Sequence, residues 1–212
     1  MSSTTLDRQD ITGLILAGGR GTRMGGVDKG LQVWAGQPLV WHAWQRLQSQ
    51  VGTVIINANR HLDHYQRLGV PVYSDRLADY PGPLAGFAVG LHEAQTPYLL
   101  TVPCDSPRFP LDLASRLAQA LQQSSADIAM VSAPEITDGG ERVLRPQPVF
   151  CLMATHLTSS LLQYLASGQR KIDRWTELHR TVQVPFNLAQ DDPDAFANIN
   201  TLTDLNSLPC AP

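Results

Sequence analysis

Short apolar runs rich in β-branched residues recur along the chain at Ile11 to Leu16, Thr53 to Ile56, Val70 to Tyr73, Tyr98 to Val102 and Ile128 to Ser132. Each is the length of a buried strand. The segments between them carry apolar residues at helical spacing: Leu39, Val40, Ala43, Trp44 and Leu47, then Leu84, Phe87, Ala88 and Leu91, then Leu113, Leu117, Ala120 and Leu121. Strand and helix therefore alternate, which predicts an α/β fold with a largely parallel sheet covered by helices on both faces. In such sheets ligands bind beyond the carboxyl ends of the strands, so chemistry is sought in the segments that follow each run.

After Ala133 the alternation weakens. Glu135 to Gln147 is charged and contains Gly and Pro, which reads as a loop or lid insertion. Val149 to Leu152 reads as a strand, Leu157 to Ala166 as a helix, Thr181 to Val184 as a short strand, and Thr201 to Leu208 as a capped helix with Asp204 three residues after Thr201. No internal repeat or low-complexity linker divides the chain. The expected organisation is a flexible polar stretch over residues 1–10, then one domain over 11–208 with late insertions.

Composition narrows the function classes. With 43% hydrophobic and 17% charged residues among 212, the chain has enough apolar material for a packed core. Sixteen Lys and Arg against nineteen Asp and Glu leave a net charge of -3, so no global basic field is available to hold a nucleic acid. Cys104, Cys151 and Cys210 lie far apart without a C-x-x-C pair, which argues against a disulfide framework and a cysteine zinc site. The start lacks a signal-peptide pattern and no long apolar run is present, so a cytoplasmic protein without a membrane span is expected.

The segment after the first strand is the most informative. Five glycines, Gly18, Gly19, Gly21, Gly25 and Gly26, fall within nine positions. Without Cβ atoms the backbone can bring several N–H groups close to an anion, as phosphate cradles require. Arg20, Arg23 and Lys29 add positive charge, and the combination points to triphosphate binding. Two commoner motifs fail on the same residues. The dinucleotide pattern needs Gly where Met24 stands, and the Walker pattern needs Ser or Thr where Gly30 follows Lys29.

Downstream, Asp105 follows the fourth run at the expected carboxyl edge. Mg²⁺ takes one or two carboxylates together with substrate phosphate oxygens, so one Asp beside a phosphate loop suffices. Asp105 also fits a helix cap before Leu111, and both roles stay open at this stage. Asp75 has a similar edge position, and Asn57 and Asn59 could read a base or ribose or simply shape a turn.

Leu16 to Lys29, Asn57-Ala58-Asn59, Tyr73-Ser74-Asp75, Tyr80 to Gly86, Pro103 to Pro107, Gln147-Pro148-Val149 and Asn198 to Thr201 together resemble the molybdenum cofactor guanylyltransferases. The likeness spans roughly Ile11 to Leu208. The first segment alone would indicate only a wider group of nucleotidyltransferases, and the later motifs narrow it. The resemblance implies a Rossmann-like nucleotidyltransferase fold that joins GMP from GTP to molybdenum-molybdopterin and releases pyrophosphate. It implies Mg²⁺, or Mn²⁺ in its place, on Asp105. Nucleotide contacts would fall on Leu16, Ala17, Gly18, Gly19, Lys29, Asn57, Asp75 and Asp105, with Lys29, Arg23 and Asp105 carrying the chemistry. The pterin side would fall on Arg170, Asn198 and Asn200, although Gln169-Arg170-Lys171 departs from the double-Arg form of that turn. Cofactor-delivery proteins are the implied partners.

The expected chemistry is in-line attack by a terminal phosphate oxygen of molybdopterin on the α-phosphorus of GTP. That oxygen is already ionised near neutral pH, with a second pKa of about 6, so no catalytic histidine is required. His42, His61, His64, His92, His156 and His179 form no compact ligand set, and Trp34, Trp41, Trp44 and Trp175 read as packing residues. Ser106 lacks the surroundings of a nucleophile. Rival functions are a cytidylyltransferase on the same pterin, a sugar-phosphate nucleotidyltransferase, and a non-catalytic nucleotide-binding regulator. The coexistence of Lys29 and Asp105 speaks against the last.

Overall fold

β1 (Ile11–Leu16), β4 (Thr53–Asn57), β5 (Val72–Tyr73) and β6 (Tyr98–Pro103) form where the β-branched runs predict strands. They come from a computed structural model that describes residues 6–19, 27–76, 82–137 and 139–199. With β7 (Ile128–Ile136), β8 (Arg142–Ala154) and β9 (Thr181–Pro185) they build one seven-stranded sheet in the order β5-β4-β1-β6-β8-β7-β9. The pairs β5–β4, β4–β1, β1–β6 and β7–β9 are parallel, while β8 runs antiparallel to both neighbours. β2 (Val33–Trp34) and β3 (Gln37–Pro38) form a separate hairpin ahead of α1 (Leu39–Leu47).

Period-two alternation sorts the strand residues between two cores. Ile11, Ile15, Val54, Ile56, Leu100 and Val102 face α1, Tyr65 of α2 (Leu62–Gln66) and α4 (Leu113–Ser124). Leu14, Ile55, Leu99, Cys151 and Met153 face α3 (Pro83–Glu93), α5 (Thr158–Ala166) and Trp175 of α6 (Ile172–Thr176). Every residue of α3 from Leu84 to Leu91 is buried, so this helix is apolar all round rather than striped. Gly90 lets it approach the sheet, because a Cβ there would stand 2.6 Å from Leu14.

The predicted loop over Glu135 to Gln147 is replaced by a β-ribbon. β7 continues to Ile136, and Pro134, Glu135 and Ile136 pair with Leu144, Val143 and Arg142. The register shifts between Met130 and Val131, which bends the ribbon where Pro148 would interrupt a regular ladder. Because β7 runs in the same sense as β6, the ribbon extends past the end of the sheet on which β6 terminates. Within the first ten residues, Arg8–Asp10 form a 3-10 turn capped by Asp7. The predicted helix over Thr201 to Leu208 lies outside the described residues. Among the described residues no helix is long and apolar enough to cross a membrane.

Candidate active site

The strand order reverses at β1. From β1 the chain moves outward through β4 to β5, then returns through α3 to lay β6 on the other side of β1. At such a reversal the segments leaving adjacent strands diverge and open a crevice. Leu16 and Pro103 are register partners at its mouth, and the Cys104 N–H donates to the Leu16 carbonyl at 3.1 Å. Gly18 and Gly19 therefore leave β1 directly beside the point where Asp105 leaves β6.

Lys29 stands across from that carboxylate, its Nζ 3.1 Å from Asp105 Oδ2. The two side chains retain 25% and 20% of their exposure, enough to be reached by a ligand from solution. Lys29 begins a 3-10 turn, Lys29–Leu31, so its ammonium is set by a short rigid element after the glycine-rich segment. The helix that follows the Asp105 loop, α4, begins at Leu113 with Asp112 in the flanking position. Asp105 is therefore not its cap.

The third wall comes from the segments after β4 and β5. Asn57 is 2% exposed, and its Nδ2 donates to the Tyr73 carbonyl at 3.2 Å and to Asp75 Oδ1 at 2.9 Å. Asn59 Nδ2 reaches Asp75 Oδ2 at 2.8 Å and the Gly18 carbonyl at 3.2 Å, while its Oδ1 accepts from the Asp75 N–H at 2.8 Å. Both amide hydrogens of Asn57 are thus used inside the protein. Its carbonyl end faces Gly18, where a Cβ would stand 2.9 Å from Asn57 Oδ1 and 2.9 Å from Asn59 Nδ2. Gly18 is required by this close approach.

The family description "MobA-like NTP transferase domain" matches residues 13–183. The molybdenum cofactor guanylyltransferase of Albidiferax ferrireducens is 59% identical over 202 residues, covering 94% of this chain and 96% of that protein. The protein of the same name from Acidovorax sp. (strain JS42) is 60% identical over 205 residues, covering 96% and 97%. This chain belongs to the molybdenum cofactor guanylyltransferases. Like them it is a nucleotidyltransferase.

Solved structures share the fold of this guanylyltransferase family member. Molybdopterin-guanine dinucleotide biosynthesis protein A from Archaeoglobus fulgidus superposes with a TM-score of 0.71 at 21% identity, covering 92% of this chain and 95% of that one. The 4-diphosphocytidyl-2C-methyl-D-erythritolsynthase of Anaerococcus prevotii gives 0.70 at 14% identity, covering 97% and 96%.

The guanylyltransferase chain also brings part of its late Asn-x-Asn motif to the crevice. Ser106, fully buried, donates through Oγ to Asn198 Oδ1 at 2.6 Å, and the Ile199 N–H donates to the Asp105 carbonyl at 2.8 Å. With its oxygen held by Ser106, Asn198 turns its amide nitrogen away from that contact. Arg170 lies after α5 and donates to the Leu165 carbonyl at 2.9 Å and the Gln169 carbonyl at 2.6 Å, so part of its guanidinium closes that helix end. Arg23 and Asn200 lie outside the described residues.

Residues not promoted from sequence shape the same site. The Asp28 carboxylate is 8% exposed, with Tyr65 Oη donating to Oδ1 at 2.6 Å and His61 Nδ1 3.0 Å from Oδ2. His61, with half of its side chain exposed, is joined to the residue before Lys29. The one local signal was the adjacency of Asp28 to Lys29, since the contacts span 33 and 37 positions. Burial pushes the Cys104 thiol well up, with the Asp105 and Asp28 carboxylates adding to it, so Cys104 is an inert packing group.

The guanylyltransferases, as nucleotidyltransferases, are consistent with a divalent metal. The donor set suits a hard cation: Asp105 Oδ1 accepts no hydrogen bond from a described residue, and its carboxylate is partly open to solvent. No group of three or more His, Cys, Asp or Glu among the described residues forms a protein cage. One carboxylate supplemented by substrate phosphate oxygens is a donor set for a hard divalent cation rather than for a structural metal.

Proposed function

We propose that the protein transfers GMP from GTP to molybdenum-molybdopterin, forming the guanine dinucleotide cofactor and pyrophosphate, in the cytoplasm. The observation that carries this reading is the 3.1 Å pairing of Lys29 with Asp105 across the β1–β6 crevice, beside Gly18 and Gly19. A triphosphate entering there meets backbone N–H groups, an ammonium and a carboxylate suited to holding a metal. Asp105 would hold Mg²⁺ or Mn²⁺, which when bound supplies a Lewis acid for phosphate charge.

The remaining chemistry falls to the chain. Both reactants are anions, so the main task is to suppress their repulsion and hold them in line. Lys29, once drawn from Asp105 toward phosphate oxygens, stabilises charge that builds up as pyrophosphate departs. Arg23 adds a second cation from the glycine-rich segment. The attacking phosphate oxygen needs no base, because it is ionised near neutral pH. Asn198, oriented by Ser106, supplies an amide donor toward the acceptor's phosphate, while Arg170 and Asn200 complete that side.

Support for guanine comes from Asp75. Asn57 and Asn59 fix its carboxylate as an acceptor, and the guanine edge carries N1–H and amine donors that suit such a group. Cytosine and adenine each place a ring acceptor at the corresponding position. The test is pyrophosphate release with Mg²⁺ and molybdopterin across a nucleotide panel. GTP is expected to give kcat/KM at least about 100-fold above CTP and ATP, corresponding to two mismatched polar contacts. Equal turnover of CTP overturns the guanylyl assignment in favour of a cytidylyltransferase.

A further inference from the structure

We propose that Tyr65 and His61 are positioning residues for Lys29, acting through the buried carboxylate of Asp28. The inference rests on the transfer reading above. Tyr65 is 0% exposed and its hydroxyl is 2.6 Å from Asp28 Oδ1. Behind Lys29, a Cβ on Gly30 would stand 2.5 Å from that hydroxyl and 3.3 Å from Cys104 Sγ. Tyr65 is therefore wedged under the Lys29–Leu31 turn, against the residue that precedes Asp105. Its phenol is pushed far up by burial, then by the Cys104 and Asp28 groups beside it, so it stays a donor.

Asp28 accounts for the second hold. A carboxylate with so little exposure is costly unless its oxygens are matched by donors. Tyr65 meets one oxygen and His61 Nδ1 the other. His61 reaches it from a left-handed backbone conformation at φ 49, uncommon for a residue with a side chain. The two neighbours of this segment grip the other end of the glycine-rich stretch: Asn59 donates to the Gly18 carbonyl and Arg60 Nη2 to the Gly19 carbonyl at 3.2 Å. Residues 59–65 thus clasp the chain where it leaves β1 and again where it delivers Lys29. The geometry fixes the lysine's point of attachment relative to Asp105.

The test is a set of double-mutant cycles: Tyr65→Phe and His61→Ala, each made in the wild-type and Lys29→Ala backgrounds. Pyrophosphate release from saturating GTP with Mg²⁺ and molybdopterin gives kcat, and melting gives Tm. Tyr65→Phe is expected to lower wild-type kcat on the order of 10-fold, since small misplacements of a charge-stabilising group are costly. In the Lys29→Ala background the same substitution should change kcat less than about 2-fold, because a group acting only through Lys29 has nothing left to position. His61→Ala should show a smaller loss with the same dependence, and its half-exposed side chain keeps the test valid if Tyr65→Phe fails to fold. Equal losses in both backgrounds, or losses that follow Tm alone, overturn the inference. So does wild-type kcat in Tyr65→Phe and His61→Ala. Absence of GTP turnover by the wild-type protein overturns the transfer reading itself, a separate result.

Discussion

Gly86 of α3 lies so close to Asn57 of β4 that a Cβ on it would stand 2.6 Å from Asn57 Oδ1 and 2.4 Å from Leu16 Cδ2. Asn57 cannot swing aside freely, because its amide nitrogen is tied to Tyr73 and Asp75. Gly86→Ala should therefore push the Asn57–Asp75 frame out of place. Overpacking of this kind costs about 1–3 kcal/mol, while the gain in helix propensity returns about 1 kcal/mol. The expected outcome is a small loss of stability, read by denaturant melting, with a clear rise in KM for GTP. A variant with wild-type KM would show that the frame tolerates displacement.

Lys29→Ala removes the cation opposite Asp105 and should lower turnover by about 10² to 10³-fold, the scale of losing one electrostatic stabiliser. Its side chain is partly exposed and it begins a turn rather than filling a core, so Tm should change little. Steady-state kinetics at saturating GTP alongside a thermal melt check both halves of this expectation.

Asp105→Asn keeps the side-chain size but replaces an anionic oxygen with a neutral amide. Activity at low Mg²⁺ should fall steeply and recover in part as Mg²⁺ is raised. A titration that leaves metal dependence unchanged removes Asp105 from the metal site.

Stability in acid should depend on Asp191. Arg116 on α4 donates to Asp191 Oδ1 at 2.8 Å and Oδ2 at 3.2 Å, and its guanidinium carbon lies 3.6 Å from the Phe186 ring centroid. Burial pushes the Asp191 carboxyl up, but the Arg116 and Leu188 donors outweigh it and hold it below the usual carboxylate range. Its folded value is therefore lower than its unfolded one, and the stability it contributes is present above the unfolded pKa of about 3.9. That contribution is lost as pH falls through the folded value. Asp191→Asn should lose about 1–3 kcal/mol at pH 7 and flatten the fall in stability below pH of about 4, as urea melts at several pH values would show.

Much of the fold is legible because buried strands and helices carry their own periodicity. Ile11 to Leu16 and Tyr98 to Val102 mark their strands by composition alone, and the Leu39 to Leu47 stripe marks α1. The β-ribbon is not legible for a physical reason. From Arg142 to Pro146 its residues are mostly exposed, so no apolar alternation betrays a strand, and Pro146 and Pro148 argue locally for a loop. Its strand character comes from pairing with β7, which no local pattern records. Within the candidate site, Gly18, Lys29 and Asp105 announce themselves through chemistry that follows a strand. Tyr65 and Asp28 do not, because a buried tyrosine looks like packing until its hydroxyl is seen to have a carboxylate.

The hydrogen bond from Ile199 to Asp105 has a consequence for how the protein is made. Ser106 and Asn198, which flank that bond, are 92 residues apart in sequence. A ribosome adding about 5–20 residues per second takes roughly 5 to 20 seconds to cover that distance. During this interval β1, β4, β5 and β6 have already emerged, yet the Asp105 loop lacks its tether and Ser106 lacks its partner. A nascent chain cut short anywhere in between carries the β1–β6 crevice without the Ile199 and Asn198 contacts to its Asp105–Ser106 segment. The candidate site is therefore completed only once the segment holding Asn198 and Ile199 has been made.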